Sequence, residues 1–120
     1  MDCRGTWIEF DGLDAEARHF LAFGDGEEAS AALGTARMRI VDGDAKAQRI
    51  AVLEHARGSG LGRALVESIE SHARKEGLRA VRLNAQVQAA PFYQKLGYAA
   101  EGDVFVEAGI DHLAMRKSLL

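Results

Sequence analysis

An α+β fold is predicted by three features of this 120-residue chain: segments that alternate apolar and polar residues, one run with helical spacing from Leu61 to Glu76, and turns marked by glycine between them. In order, His19 to Phe23 reads as a short strand, and Ala29 to Val41 contains a second. Asp42-Gly43-Asp44 is a hairpin turn, because Asp-Gly tolerates the positive φ such a turn needs, and Gln48 to Leu53 returns antiparallel. The helix carries Leu61, Leu65 and Ile69 at spacing four. Val66 and Ala73 widen that stripe, while Glu67, Glu70, Arg74 and Lys75 occupy other positions. Gly77 is its C-terminal stop. Val81, Leu83 and Ala85 alternate with Arg82 and Asn84, the period of a strand. Pro91 sits near the start of a short helix, where its missing N–H costs little, and Gly97 ends it. Tyr98 to Val106 and Ile110 to Lys117 then form a last hairpin across Ala108-Gly109. The first eighteen residues, including Gly5-Thr6-Trp7-Ile8-Glu9-Phe10, carry no long helix.

Composition sets the bounds. Residues 1–120 are long enough for one core but not two, so a single domain is expected. With 48% hydrophobic and 28% charged residues the chain is globular, not disordered. A formal charge of -3 argues against a nucleic-acid surface, which needs clustered Lys and Arg. One cysteine, Cys3, forms no internal disulfide, and no apolar run is long enough for a signal peptide or membrane span; the expected location is the cytoplasm. The four histidines show no metal-ligand spacing, and no metal is implied.

The most informative stretch is Arg57-Gly58-Ser59-Gly60-Leu61-Gly62-Arg63, between a strand and the long helix. Glycines let the backbone approach a ligand closely, and the first N–H groups of the helix point at it with the positive end of the dipole behind them. Arg57 and Arg63 add charge, so the loop reads as a phosphate site. A nucleotide-triphosphatase loop needs G-x-x-x-x-G-K-[ST], but Gly62 is followed by Arg63-Ala64. A dinucleotide fingerprint needs G-x-G-x-x-G, and from Gly58 or Gly60 the last position is Arg63 or Leu65. The pattern that fits is R-x-x-G-x-G at Arg57, Gly60 and Gly62.

That pattern resembles the acetyl-CoA pyrophosphate loop of the GNAT family of N-acetyltransferases. Gln86-Val87-Gln88-Ala89-Ala90-Pro91-Phe92-Tyr93-Gln94-Lys95-Leu96-Gly97-Tyr98 resembles a second family motif, N-x-x-A-x-x-F-Y-x-x-x-G-[FY], with glutamine where asparagine is usual. The succession Asn84-Ala85-Gln86, Phe92-Tyr93 and Glu107-Ala108-Gly109-Ile110-Asp111-His112 is similar to the ElaA-like branch. The resemblance covers roughly residues 14 to 118 and implies a mostly antiparallel sheet with flanking helices, using acetyl-CoA as co-substrate. It implies that Ile50, Ala51 and Val52 pair with the pantetheine amides and that the amides from Gly58 through Ser59, Gly60, Leu61 and Gly62 to Arg63 take the pyrophosphate. Arg57, Gln86, Phe92 and Tyr93 belong to the same binding set. The resemblance makes Tyr93 the acid for the departing thiolate; packing beside Phe92 is its alternative role. His19, Glu107 and His112 are the candidates for a base, with packing as the alternative for each histidine. Glu54 and His55 look like a solvated turn, and His72 like a surface or edge residue of the helix. Arg37, Arg39 and Arg49 alternate onto strand faces and read first as a solvated face; the alternative for Arg49, next to the strand that meets CoA, is to bind an anionic part of the acceptor.

One part departs from the family pattern. Its members open with a strand and one or two helices that form a wall of the acceptor cleft, and only eighteen residues precede His19. A fold shortened at the N-terminus is therefore expected, either through truncation or with a partner subunit completing the wall. The leading reading is an N-acetyltransferase acting on a small-molecule or peptide amine, and the resemblance is compatible with a homodimer. The alternative is a catalytically weak or inactive acyl-CoA-binding module. A purely structural domain without a ligand leaves the glycine loop unexplained.

Overall fold

The structure is a computed structural model that describes residues 6–13, 17–24, 32–52, 58 and 60–120. Eight strands form one sheet: β1 (Thr6–Leu13), β2 (Ala17–Gly24), β3 (Ala32–Val41), β4 (Asp44–Val52), β5 (Ala80–Gln86), β6 (Ala99–Ala100), β7 (Phe105–Glu107) and β8 (Ile110–Ser118). Their spatial order is β1-β2-β3-β4-β5-β8-β6, with β7 also paired to β8. Every pairing is antiparallel except β4 with β5, which the long helix α1 (Leu61–Lys75) connects. This is the α+β architecture expected from the sequence. A 3₁₀ turn at Val87–Ala89 leads from β5 into the short helix α2 (Ala90–Lys95).

The β3–β4 hairpin closes where Asp-Gly chemistry requires it. Val41 pairs with Asp44, and the two central residues have φ of 52° at Asp42 and 81° at Gly43, the left-handed pair of a type I′ turn. Strand β1 has no counterpart in the sequence reading. It pairs along β2 from Thr6 with Gly24 to Leu13 with Arg18, so a strand occupies the segment read only as lacking a long helix. Among the described residues no helix precedes β2.

One face of the sheet is covered by α1. Leu61, Leu65, Val66, Ile69 and Ala73 pack on Phe20, Ala36, Met38, Ala45, Val81, Leu83 and Met115, all buried. Each fully buried Leu or Ile contributes roughly 1.5–3 kcal/mol, so this stripe is what fixes α1 beneath β3, β4 and β5. Side chains alternate across a strand, so Arg37, Arg39, Lys46, Asn84 and His112 point to the opposite face.

Glu70, placed outside the apolar stripe, is nevertheless buried: it is 4% exposed and accepts hydrogen bonds from Tyr98 Oη at 2.9 Å and Lys117 Nζ at 3.1 Å. Burial and then the Glu70 carboxylate raise the Tyr98 phenol far above its ordinary range. The strand expected from Tyr98 to Val106 is broken into β6 and β7, because Glu101-Gly102-Asp103 turns, with Gly102 at a φ of 81°. Replacing Glu70 by Ala strands the buried Tyr98 hydroxyl and removes the partner of Lys117. The expected cost is about 3 kcal/mol, read from the denaturant midpoint. Between the ordinary tyrosine pKa and the raised one, the folded state holds a proton that the unfolded state has lost. Stability therefore falls as pH rises above about 10, and Tyr98→Phe removes that part of the slope.

Candidate active site

The candidate site begins where two strands part. Parallel pairing of β4 with β5 is confined to Ala45 with Val81 and Lys46 with Arg82, and beyond Lys46 the strands diverge. Opposite them, β4 stays on β3, with Ala51 against Thr35 and Val52 against Gly34. A one-residue bulge between these pairs and Gln48 with Arg37 gives Arg49 a φ of 53°, which bends β4 away from β5. The backbone of Ile50, Ala51 and Val52 thus presents a sheet edge to the gap.

That gap is a cavity of about 360 Å³ lined on one side by Gln48, Arg49 and Ile50, on the other by Asn84 and Gln86, and closed by Tyr93, Glu107 and His112. His112 is buried at the start of β8, opposite Gln86, with Phe105 stacked on its ring at 5.9 Å. Its Nδ1 lies 2.7 Å from the Ile110 carbonyl. A carbonyl only accepts, so Nδ1 carries the hydrogen and Nε2 of the neutral ring keeps its lone pair. Nε2 is 3.8 Å from Glu107 Oε2.

Tyr93 enters the cavity from α2, half-buried, its ring edge-on to Phe92 at 5.0 Å and to Tyr98 at 5.9 Å. Burial raises its phenol pKa above 10.0, which keeps the hydroxyl protonated and able to donate.

The phosphate loop adjoins this wall. Gly60 caps α1 at φ 88° with no side-chain capping bond of its own, and no acidic residue lies in the first turn. The first intrahelical bond in this turn runs from Ala64 N–H to the Gly60 carbonyl at 3.0 Å, so the amides of Leu61, Gly62 and Arg63 have no partner within the helix. Gly58 has φ 82°, and a Cβ on Gly58 or Gly60 would meet nothing within 4 Å; one on Gly62 would lie 3.4 Å from Phe92 Cζ. Open space around uncapped amides is what a pyrophosphate needs. The residues present thus fit acetyl-CoA: an anion cradle at Gly58, Gly60 and Gly62, the strand segment at Ile50–Val52 where β4 has left β5, and Phe92 between cradle and cavity.

The sequence-derived candidates separate into groups. Ile50, Gln86, Tyr93, Glu107 and His112 come together around one cavity. Gln86 Oε1 accepts from Gln88 Nε2 at 2.9 Å, and Phe92 is exposed beside Gly62. The Leu61 side chain belongs to the core, leaving its amide to the loop. Arg63 pairs with Glu67 at 3.2 Å on the exposed face of α1. His19 lies on β2, opposite Arg37, with β3 between it and the divergent strands; it does not line the cavity. His72 is half-buried, edge-on to Phe20 and paired with Glu76. Arg57 and Ser59 lie outside the described residues, as do Cys3, Glu54 and His55. Lys46, which the sequence reading passed over, joins Arg37, Arg39, Arg49 and Asn84 in a second cavity of about 360 Å³ beside the first. Its signal was the alternation of Arg37 and Arg39, which places both on one face of a hairpin with Lys46.

Comparisons with known proteins agree with this geometry. Residues 10–119 match the family model of the acetyltransferase (GNAT) domain. The chain is 40% identical over 111 residues to the Bacillus subtilis protein YyaT, covering 92% of this chain and 72% of that protein. It is 40% identical over 110 residues to the Bacillus subtilis N-acetyltransferase YjcF, covering 91% and 76%. Among solved structures, Escherichia coli ElaA superposes with a TM-score of 0.74 at 25% identity, covering 89% of this chain and 72% of that one. The chain belongs to the GNAT family of acetyltransferases.

Proposed function

We propose that residues 1–120 form one acetyltransferase domain that transfers the acetyl group of acetyl-CoA to a primary amine by direct attack in a ternary complex. The observation that carries this reading is the divergence of β4 from β5, which opens a cavity walled by Tyr93 and the His112–Glu107 pair next to an uncapped helix N-terminus. Acetyl-CoA supplies the activated acyl group as its thioester. The Gly58, Gly60 and Gly62 loop, with Arg57 and Ser59, holds its pyrophosphate, and the β4 edge at Ile50–Val52 aligns its amides as an added strand would be aligned. Gln86 and Phe92 complete that wall.

An amine with a pKa near 10.4 is deprotonated about once in 2,500 at pH 7, a handicap of roughly 4.6 kcal/mol. His112 relieves it. Nε2 accepts a proton from the ammonium and passes it to solvent, and the freed amine nitrogen bonds to the acyl carbon. As the carbon–sulfur bond breaks, Tyr93 Oη donates a proton to the departing sulfur and is reprotonated by the second proton the nitrogen gives up, with Glu107 beside the site. The products are an N-acetylated amine and free CoA thiol. His19 is a remoter candidate for the base, reached only through β3. A cytoplasmic location belongs to the same proposal.

The test is acetyl-CoA turnover with a panel of small amines and lysine peptides, with the N-acetylated product identified by mass spectrometry. Product formation is expected, and His112→Ala should lower kcat about a hundredfold. Acetyl-CoA binding with no product from any amine would instead favour the acyl-CoA-binding module.

A further inference from the structure

We propose that the amine acceptor carries an anionic group, a carboxylate or a phosphate, that docks on Arg37 and Arg39 beside the cavity. The inference rests on the acetyltransferase reading and names the substrate class of the same site. On the sheet face away from α1, cations oppose one another across strands: Arg39 faces Lys46, Lys46 faces Arg82, and Arg82 faces Arg116. Like charges set directly opposite are destabilising, and nothing in a chain of formal charge -3 requires such a row for folding. Asp44 relieves one end, with its Oδ2 at 2.9 Å from Arg82 Nε and its Oδ1 at 3.6 Å from Arg79 Nε. Among the described residues no carboxylate pairs with Arg37, Arg39, Lys46 or Arg49. The Nε atoms of both Arg37 and Arg39 are buried without a hydrogen-bond partner.

Buried guanidinium donors left unsatisfied are costly, and their planar fork matches a carboxylate or phosphate. Arg37, Arg39 and Lys46 line the second cavity, which shares Arg49, Asn84 and Glu107 with the one that holds Tyr93 and His112. An acceptor bound there has its anion on the two arginines and its ammonium directed toward Glu107, within reach of His112. The charge pattern of the face is thus that of a short zwitterion in reverse.

The test measures binding of matched pairs, phosphoethanolamine against ethanolamine and glycine against glycinamide, to the wild-type protein with and without saturating CoA. At least one anionic member should bind ten- to a hundredfold tighter than its neutral match. The Arg37→Gln, Arg39→Gln double variant should lose that preference while keeping its affinity for acetyl-CoA. Equal binding of both members of each pair, no binding of any, or a preference that survives in the double variant overturns the inference. A preference that is present while acetyl-CoA fails to bind would retain the anion site and refute the acetyltransferase reading, so the two failures are distinct. The pair that discriminates more strongly tells carboxylate from phosphate.

Discussion

A variant carrying Gly60→Glu and Gly62→Glu is expected to bind acetyl-CoA at least a hundredfold more weakly than the wild type, with little loss of fold. Two unit charges 4 Å apart repel by about 4 kcal/mol at the effective dielectric of a protein surface, and each new carboxylate lies where a pyrophosphate must sit. The cost to the apoprotein is smaller. Gly60 has a φ of 88°, so any side chain there is strained by roughly 1 kcal/mol, although its Cβ meets nothing within 4 Å. A carboxylate at the N-terminus of α1 returns about 0.3–1 kcal/mol through the helix dipole. Binding measured by calorimetry and melting measured by circular dichroism therefore separate, the first collapsing and the second shifting by a few degrees. A variant with alanine at both positions should retain most of the affinity, which assigns the loss to charge.

Tyr93→Phe is expected to lower kcat about a hundredfold and leave the acetyl-CoA affinity unchanged, since only the proton donated to the leaving sulfur is removed. The ring contacts with Phe92 and Tyr98 survive the substitution. Burial raises the Tyr93 pKa above 10.0, so the wild-type hydroxyl keeps its proton throughout the neutral and mildly alkaline range. A loss of rate caused by ionisation of Tyr93 is therefore displaced to higher pH than for an ordinary tyrosine. The phenylalanine variant should show a constant deficit, measured as single-turnover thiol release from pH 7 to 10. A wild-type rate retained by the variant would return Tyr93 to a packing role.

The parts of this account that were legible in the sequence are those set by neighbours along the chain. The Asp42-Gly43 turn, the apolar stripe of α1, the alternation of Val81, Leu83 and Ala85, and the glycine loop all report local backbone chemistry. Glu107 and His112 were named only through the family resemblance, as separate candidates; the turn at Ala108-Gly109 folds β7 onto β8 and brings Phe105 opposite His112. What the sequence hid depends on distant partners. Strand β1 is rich in the Thr, Trp, Ile and Phe that suit a strand, but only pairing with β2 makes it one. Glu70 looks like any helical acid until Tyr98, just before β6, and Lys117, on β8, meet it. The cationic row emerges from the registers of β3, β4, β5 and β8 together, so no window of sequence contains it. The divergence of β4 from β5, a relation between strands separated by the whole of α1, was expected only through the family resemblance.

The most direct test of the central claim is calorimetric titration of the unmodified protein with acetyl-CoA. One site per chain with micromolar or tighter affinity, competed by CoA, is the expected result. Absence of binding under conditions where the protein is folded would contradict the account, because the glycine loop at the start of α1 and the divergence of β4 from β5 would then have no ligand to explain them.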